Sequence, residues 1–140
     1  MAQEVFVDAS FWTALFYSPD QHQLEAQTLW REIISARWRT VTTNWTLYET
    51  LTFLTSRRRH NIAVQVYAFV SDSAEIVHIE ESGLEARSLD IFNQHSDKLW
   101  SVVDCANFAC IEQSQCEYAL SFDGDFGQVQ AEFRFNVFGI

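Results

Sequence analysis

Short runs of β-branched and apolar residues, each followed by a stretch with helical spacing, recur along the chain, and this alternation constrains the fold more than any other feature. Glu4-Val5-Phe6-Val7 predicts a buried strand that ends at Asp8. A first helix is expected from about Ser10 and stops near Ser18-Pro19, because proline lacks an amide donor and restricts its predecessor. Asp20 offers a cap for a second helix, with Leu24, Leu29, Ile33 and Ile34 turned inward. Thr40-Val41-Thr42-Thr43 predicts the second strand, and Asn44 offers an N-cap for a helix carrying Leu47, Leu51 and Leu54. A helix from Asn61 to about Ser71 turns Val66, Phe69 and Val70 inward, and Ile76-Val77-His78-Ile79 reads as the third strand. Ser82-x-x-Glu85 forms a capping box for the next helix, and Ser101 opens another that runs to about Gln115. Tyr118 to Phe122 predicts a fourth strand and Phe135 to Phe138 a fifth. The expected architecture is one α/β domain over residues 1–140, with a central, mostly parallel sheet of four to five strands flanked by helices on both faces.

Length and composition agree with this. The chain has 140 residues, 48% of them hydrophobic, enough to bury one core, and it shows no internal repeat or low-complexity linker. Apolar stretches such as Phe11 to Tyr17 are short and interrupted, far below the roughly 20 residues that cross a bilayer, so no membrane association is expected. The Met-Ala-Gln-Glu start lacks the basic segment of a signal peptide, which points to a cytoplasmic protein. Cys105, Cys110 and Cys116 are odd in number and include no C-x-x-C pair, so buried free thiols are expected rather than disulfides or zinc.

In parallel α/β sheets, ligands collect beyond the carboxyl ends of the strands, where the βα loops converge. Asp8 ends the first strand, Asp123 ends the fourth, Glu49 lies in the helix after the second, and Asp104 sits in the first turn of a later helix. Four acids distant in sequence can therefore meet at one edge. Each also has an ordinary reading. Asp8 suits an N-cap, Thr46-x-x-Glu49 and Ser101-x-x-Asp104 resemble capping boxes, and Asp123-Gly124 is good turn chemistry. Jointly they suggest more, because carboxylates at the end of an apolar strand are costly to desolvate unless a cation compensates them. A cluster of hard oxygen ligands suits Mg²⁺ or Mn²⁺, which activate water and stabilise the leaving oxygen in phosphodiester hydrolysis.

The segments around these acids resemble a known family. Val5-Phe6-Val7-Asp8-Ala9-Ser10, Thr43-Asn44 with Glu49, Ser101-Val102-Val103-Asp104, and Leu120-Ser121-Phe122-Asp123-Gly124-Asp125-Phe126 look like the four successive motifs of PIN domains. In order and separation they are similar to the VapC-type toxin branch, over nearly the whole chain. The resemblance implies a PIN-like fold, a Mg²⁺ or Mn²⁺ site, and endoribonuclease activity, often against structured RNA. It also implies a homodimer and a cognate antitoxin, as in VapBC-type toxin–antitoxin systems. By motif, Asp8 and Asp104 would be principal metal ligands, and Glu49 and Asp123 would complete the site directly or through water. Ser10 and Ser121 would position carboxylates or substrate phosphate, and Asp125 is an auxiliary acid or a turn residue. The bulky Phe11 and Trp12, directly after the first motif, are expected to reshape the groove.

A net charge of −10 is unusual for a protein that meets nucleic acid, whose common signature is a basic face. The basic residues are uneven, with Arg31, Arg37 and Arg39 close together and Arg57-Arg58-Arg59-His60 in a run. The Arg57–Arg59 run either clamps RNA phosphate or is a solvated helix end that complements the helix dipole. The tryptophans suit base stacking, or else core and interface packing. Five Trp, twelve Phe and four Tyr are more aromatic surface than one core of this size readily hides, a second argument for a homodimer. The four histidines form no ligand spacing, and His78 reads as structural. Two other functions compete: a nuclease-inactive PIN-like module that binds RNA or protein, and a phosphotransfer protein using Asp8. The intact acids argue against the first, and the second would need a lysine near the site, where the only lysine is Lys98.

Overall fold

In the computed structural model, which describes residues 3–139, β1 (Glu4–Val7) turns Val5 and Val7 to one side and Phe6 to the other. All three side chains are fully buried, which requires a strand covered on both faces. Met1 and Ala2 of the N-terminal segment discussed above lie outside the described residues, as does Ile140. β1 pairs with β2 (Arg39–Thr43) on one side and β4 (Tyr118–Leu120) on the other. β3 (Ala74–Val77) joins β2 and β5 (Asn136–Phe138) joins β4, giving the order β3-β2-β1-β4-β5 with every pairing parallel.

The helices divide between the two faces. α1 (Ala9–Phe16), α2 (Gln23–Ser35), α3 (Asn44–Ser56) and α4 (His60–Ser73) bury Phe11, Trp12, Ile33, Leu54 and Val66 with Val5, Val7 and Leu120. α5 (Leu84–Gln94), α6 (Val102–Ser114) and α7 (Gly124–Phe133) bury Ile91, Phe108, Ile111 and Phe126 with Phe6, Val41 and Ala119. Among the described residues no helix is long and apolar enough to cross a membrane. The three cysteines are buried and free, and burial pushes the Cys105 thiol up to about 11 and those of Cys110 and Cys116 up to about 12.

Several local expectations are corrected. Asp20 does not cap α2; its Oδ1 accepts the His22 N–H at 2.8 Å in the preceding turn, and the N-cap residue is His22 itself. The inward stripe of α2 is Ala26, Leu29, Trp30 and Ile33, an i, i+3, i+4, i+7 row that leaves Leu24 80% and Ile34 50% exposed. Thr43, not Asn44, caps α3, accepting the Thr46 N–H at 3.0 Å. Thr46 therefore lies inside the helix and forms no capping box with Glu49. Asn44 instead fixes the loop after β3, with Oδ1 accepting from Ile79 N–H at 2.9 Å and Nδ2 donating to Glu80 at 3.0 Å. The third strand lies two residues earlier than expected, because the parallel register pairs Thr40 with Ala74 and Thr43 with Val77. No box forms at Ser82-x-x-Glu85, since α5 starts after Gly83 at φ 79° and Ser82 Oγ donates to the Ile79 carbonyl. β4 stops at Leu120, and α7 follows where no helix was expected.

Candidate metal centre

The strand order reverses beside β1: the chain proceeds to β2 on one side, while β4 arrives on the other. The carboxyl ends of β1 and β4 therefore flank the crevice at the switch point, where α/β sheets bind ligands. Asp8 leaves β1 there as the N-cap of α1, its Oδ1 accepting the Phe11 N–H at 3.0 Å. Capping does not exhaust it. Ser10 Oγ donates to the same oxygen at 2.7 Å, and Ser121 Oγ donates to Oδ2 at 2.6 Å. Each serine is held in turn, because Ser10 Oγ accepts the Phe122 N–H at 2.9 Å and Ser121 Oγ accepts the Asp123 N–H at 3.0 Å. Asp8 is 3% exposed, and burial raises its carboxyl to about 7 despite these hydrogen bonds, with nearby Asp123 adding to the rise.

The other acids arrive from helix starts. Asp104 completes the expected capping box, accepting Ser101 N–H at 2.9 Å while its own N–H donates to Ser101 Oγ at 3.0 Å. Asp123 caps α7 by accepting the Asp125 N–H at 2.9 Å. Carboxylate oxygens of Asp104, Asp123 and Asp125 all lie within 4.8 Å of one another. Glu49 projects from α3 toward the same charge: its carboxyl is raised by partial desolvation and then by Asp104 and Asp123, although the residue as a whole is exposed. Burial also raises Asp104, against the pull of its Ser101 hydrogen bonds and with Asp123 and Asp125 adding to the rise. Asp125 is raised by burial and by Asp123. Among the described residues, no ion pair reaches any of these five acids. Crowded carboxylates without a counter-charge are a set of hard oxygen donors suited to a divalent cation.

A buried polar contact that the sequence did not reveal sets two of them. Thr46 Oγ1 donates to Asn107 Oδ1 between α3 and α6. Thr46 lies one turn before Glu49 and Asn107 one turn after Asp104, so this contact fixes the two helix faces that carry those acids. The only signal was the i, i+3 relation of each polar residue to its acid, which has no meaning until the helices are known to touch.

Other expectations fare differently. Phe11 and Trp12 are fully buried and do not reshape the groove; both pack in the α1–α4 core, where Phe11 stacks on Phe122 with centroids 5.7 Å apart. The five tryptophans all pack against one or other core, which corrects the base-stacking reading. Arg57, Arg58 and Arg59 are exposed and form the connection between α3 and α4, with Arg58 at φ 60° and the Arg57 guanidinium 5.0 Å from the Phe53 ring centroid. A depression of about 670 Å³ beside Glu112, Cys116, Glu132 and Arg134 includes none of the five acids.

A doubly covered parallel sheet, with carboxylates from four separate segments gathered at its switch point, defines an α/β protein of the acidic-site class. The PIN domain model matches residues 5–132, and the chain belongs to the PIN domain family. It is 33% identical over 123 residues to the 23S rRNA-specific endonuclease VapC20 of Mycobacterium tuberculosis (strain CDC 1551 / Oshkosh), covering 87% of this chain and 91% of the relative. It is also similar to the crystal structure of Mycobacterium tuberculosis VapC20, described as a sarcin-ricin loop cleaving toxin, with a TM-score of 0.80 and 32% identity over 89% of this chain and 94% of that one.

Proposed function

We propose that the chain is a divalent-metal-dependent endoribonuclease and the toxin of a VapBC-type toxin–antitoxin pair. The observation that carries this reading is the approach of Asp104, Asp123 and Asp125 within 4.8 Å, beside a buried Asp8 at the switch point. Membership of the PIN family and the similarity to an rRNA-specific endonuclease support it. The all-oxygen donor set favours Mg²⁺ or Mn²⁺ over softer metals. Asp104, Asp123 and Asp125 would hold the ion, with Asp8 and Glu49 completing its surroundings directly or through water; the approach of the three within 4.8 Å supports a larger part for Asp125 than that of an auxiliary acid. When bound, such an ion supplies Lewis-acid activation of the phosphodiester and of the attacking water.

The chain's own residues prepare that site. Ser10 and Ser121 hold both Asp8 oxygens, so the carboxylate cannot rotate away. Ser101 fixes Asp104 through two hydrogen bonds. Arg57–Arg59 carry no ion pair among the described residues and supply the positive charge that an RNA backbone needs on an otherwise acidic protein.

The substrate proposed is a structured RNA, with the sarcin–ricin loop of 23S rRNA as the first candidate because the relatives carry that description. Cytoplasmic residence, a homodimer and inhibition by a small cognate antitoxin belong to the same reading. The test is incubation of the purified chain with rRNA in Mn²⁺ and in EDTA, beside Asp104→Asn. A discrete cut that needs the ion and Asp104 is expected; RNA binding without cleavage would favour the nuclease-inactive module instead.

A further inference from the structure

Next to the acids, α1 and α3 leave a slot of about 340 Å³. Ala9 and Phe53, the hydroxyl residues Ser10, Thr13 and Thr50, and the acids Asp20 and Glu49 line it. We propose that this slot is a nucleobase subsite that takes an unstacked guanine of the RNA, whose N1–H and exocyclic amine donate to the Asp20 carboxylate. The proposal rests on the nuclease reading above and names a determinant of its specificity.

Three observations lead to it. Ser10 holds Asp8 and Glu49 faces Asp104, yet both also line the slot, so a base lodged there belongs to a nucleotide whose phosphate is at or beside the acids. Two carboxylates and no lysine or arginine line it, which disfavours phosphate as its occupant, while the apolar portion suits the face of a base. Of its polar groups, the Ser10 and Thr50 hydroxyls already donate to Asp8 and to the Thr46 carbonyl, while the Asp20 and Glu49 carboxylates, when ionised, only accept hydrogen bonds and therefore select a donor-bearing edge.

Asp20 is well placed for that selection. It sits in the turn after Pro19, fixed by its own N–H donating to the Tyr17 carbonyl at 2.9 Å. One carboxylate oxygen takes the His22 N–H, and among the described residues the group forms no ion pair, which leaves acceptor capacity for a ligand. Guanine presents two adjacent N–H donors on its Watson–Crick edge, whereas adenine and cytosine present one amine and uracil one imide N–H. A bidentate contact is therefore available to guanine alone. The Phe53 wall is held from two directions, by the Tyr17 ring edge-on at 5.8 Å and by the Arg57 guanidinium. Arg57 thereby lies near enough to meet the backbone of a strand whose base enters the slot.

Two measurements test this, and they separate the subsite from the nuclease activity. First, the wild type and Asp20→Asn are given a library of RNA hairpins with randomised loops in Mn²⁺ and the cut ends are sequenced. Guanine is expected at one fixed position beside the cut, and Asp20→Asn should lower its enrichment over other bases about tenfold. Asparagine keeps an acceptor for the His22 N–H, so the turn survives. Second, guanosine, adenosine, cytidine and uridine are titrated into each protein in EDTA, where nothing is cleaved. Guanosine is expected to bind about tenfold tighter than the others, with the margin lost in Asp20→Asn. Cleavage without base bias, or a guanine bias unchanged in Asp20→Asn, overturns the subsite and leaves the nuclease reading standing. Absence of cleavage with the guanosine preference intact does the reverse. Equal binding of all four nucleosides overturns the subsite whatever the cleavage result.

Discussion

Ser121 donates its hydroxyl proton to Asp8 Oδ2 across 2.6 Å, joining the loop after β4 to the acid that ends β1. Both residues are buried, and the same hydroxyl accepts the Asp123 N–H, so one side chain aligns acids that are 115 positions apart in the numbering, from Asp8 to Asp123. Because this hydrogen bond favours the charged form of Asp8, Ser121→Ala should raise the Asp8 carboxyl above its present value of about 7. In EDTA, the pH range over which the melting temperature falls should then extend to higher pH. The fold should lose about 1–3 kcal/mol through the partners left unsatisfied. A fall in melting temperature over the same pH range as the wild type would show that Ser121 does not tune Asp8.

Stability without metal should fall as pH rises. Asp8 has a folded value of about 7 against an ordinary value of 3.8, so between these the folded chain holds a proton that the unfolded chain has released. Its contribution is complete at the acid end of that window and gone above pH 7, a loss of at most roughly 4 kcal/mol. The raised carboxyls of Glu49, Asp104 and Asp125 act with the same sign. So does His95, whose raised value comes from the Ile91 carbonyl and then Glu132, and whose stabilisation is lost as pH passes that value. Melting in EDTA should therefore occur at higher temperature at pH 5.5 than at pH 8, and Asp8→Asn should flatten the difference. Mn²⁺ should restore stability at pH 8 by binding only the folded state. A melting temperature that climbs from pH 5.5 to 8 in EDTA would contradict this account.

Asp104→Asn separates function from folding. Asparagine retains the oxygen that accepts the Ser101 N–H, so the capping box survives, while one charge leaves the cluster around Asp123 and Asp125. Loss of an outer-shell partner typically costs about 10–100-fold in metal affinity or activity, so loss of a ligand should reduce cleavage by more than about 100-fold. Melting in EDTA at pH 8 should be unchanged or higher, since like charges are relieved. Substantial cleavage by this variant would remove Asp104 from the metal centre.

The parts of this centre differed in how clearly the sequence showed them. Asp8, Asp104 and Asp123 were visible because each follows a strand-end or capping pattern, and local rules govern both. The continuous apolar run Val5-Phe6-Val7 and the β-branched run Thr40–Thr43 located the inner strands for the same reason. Contacts between distant segments were not visible. Thr46 and Asn107 meet across a separation of 61 residues, and nothing local marks either as a partner. The α7 helix was hidden by Asp123-Gly124, which reads as a turn, although Phe126, Val129 and Phe133 lie on one helical face and are buried. Leu24 and Ile34 misled in the opposite way, because hydrophobicity alone does not show which stripe of a helix meets the sheet.

The Thr46–Asn107 contact gives its own test. Thr46→Val keeps the shape but leaves the buried Asn107 carbonyl without its donor, which should cost about 1–3 kcal/mol of stability. Mn²⁺ affinity should also weaken, because Glu49 and Asp104 are no longer set against each other, and Thr46→Ser should recover both properties. Lost stability with unchanged metal affinity would show that the contact only holds α3 to α6.

Dimerisation must rest on particular surfaces, since the aromatic content that suggested it is mostly absorbed by the core, where Phe6, Phe11, Trp12, Phe108 and Phe126 are fully buried. What remains outside is more specific. Tyr48 on α3 and Val64 and Tyr67 on α4 are 52%, 55% and 53% exposed on two helices that pack together. Exposed aromatic and aliphatic side chains of this kind concentrate at protein interfaces. The arginine connection Arg57–Arg59 joins the same two helices, so pairing through them would bring its charge toward the partner copy. Such a pair would present arginines and acids to one RNA strand, and its binding would weaken steeply with salt despite the pI of about 4.6. Light scattering at micromolar concentration should give twice the 16.3 kDa chain mass, and Tyr67→Glu should return it to the monomer value. A wild type that scatters as a 16.3 kDa species would rule the dimer out. RNA binding indifferent to salt would count separately against the arginines, because counterion release is the signature of phosphate contacts.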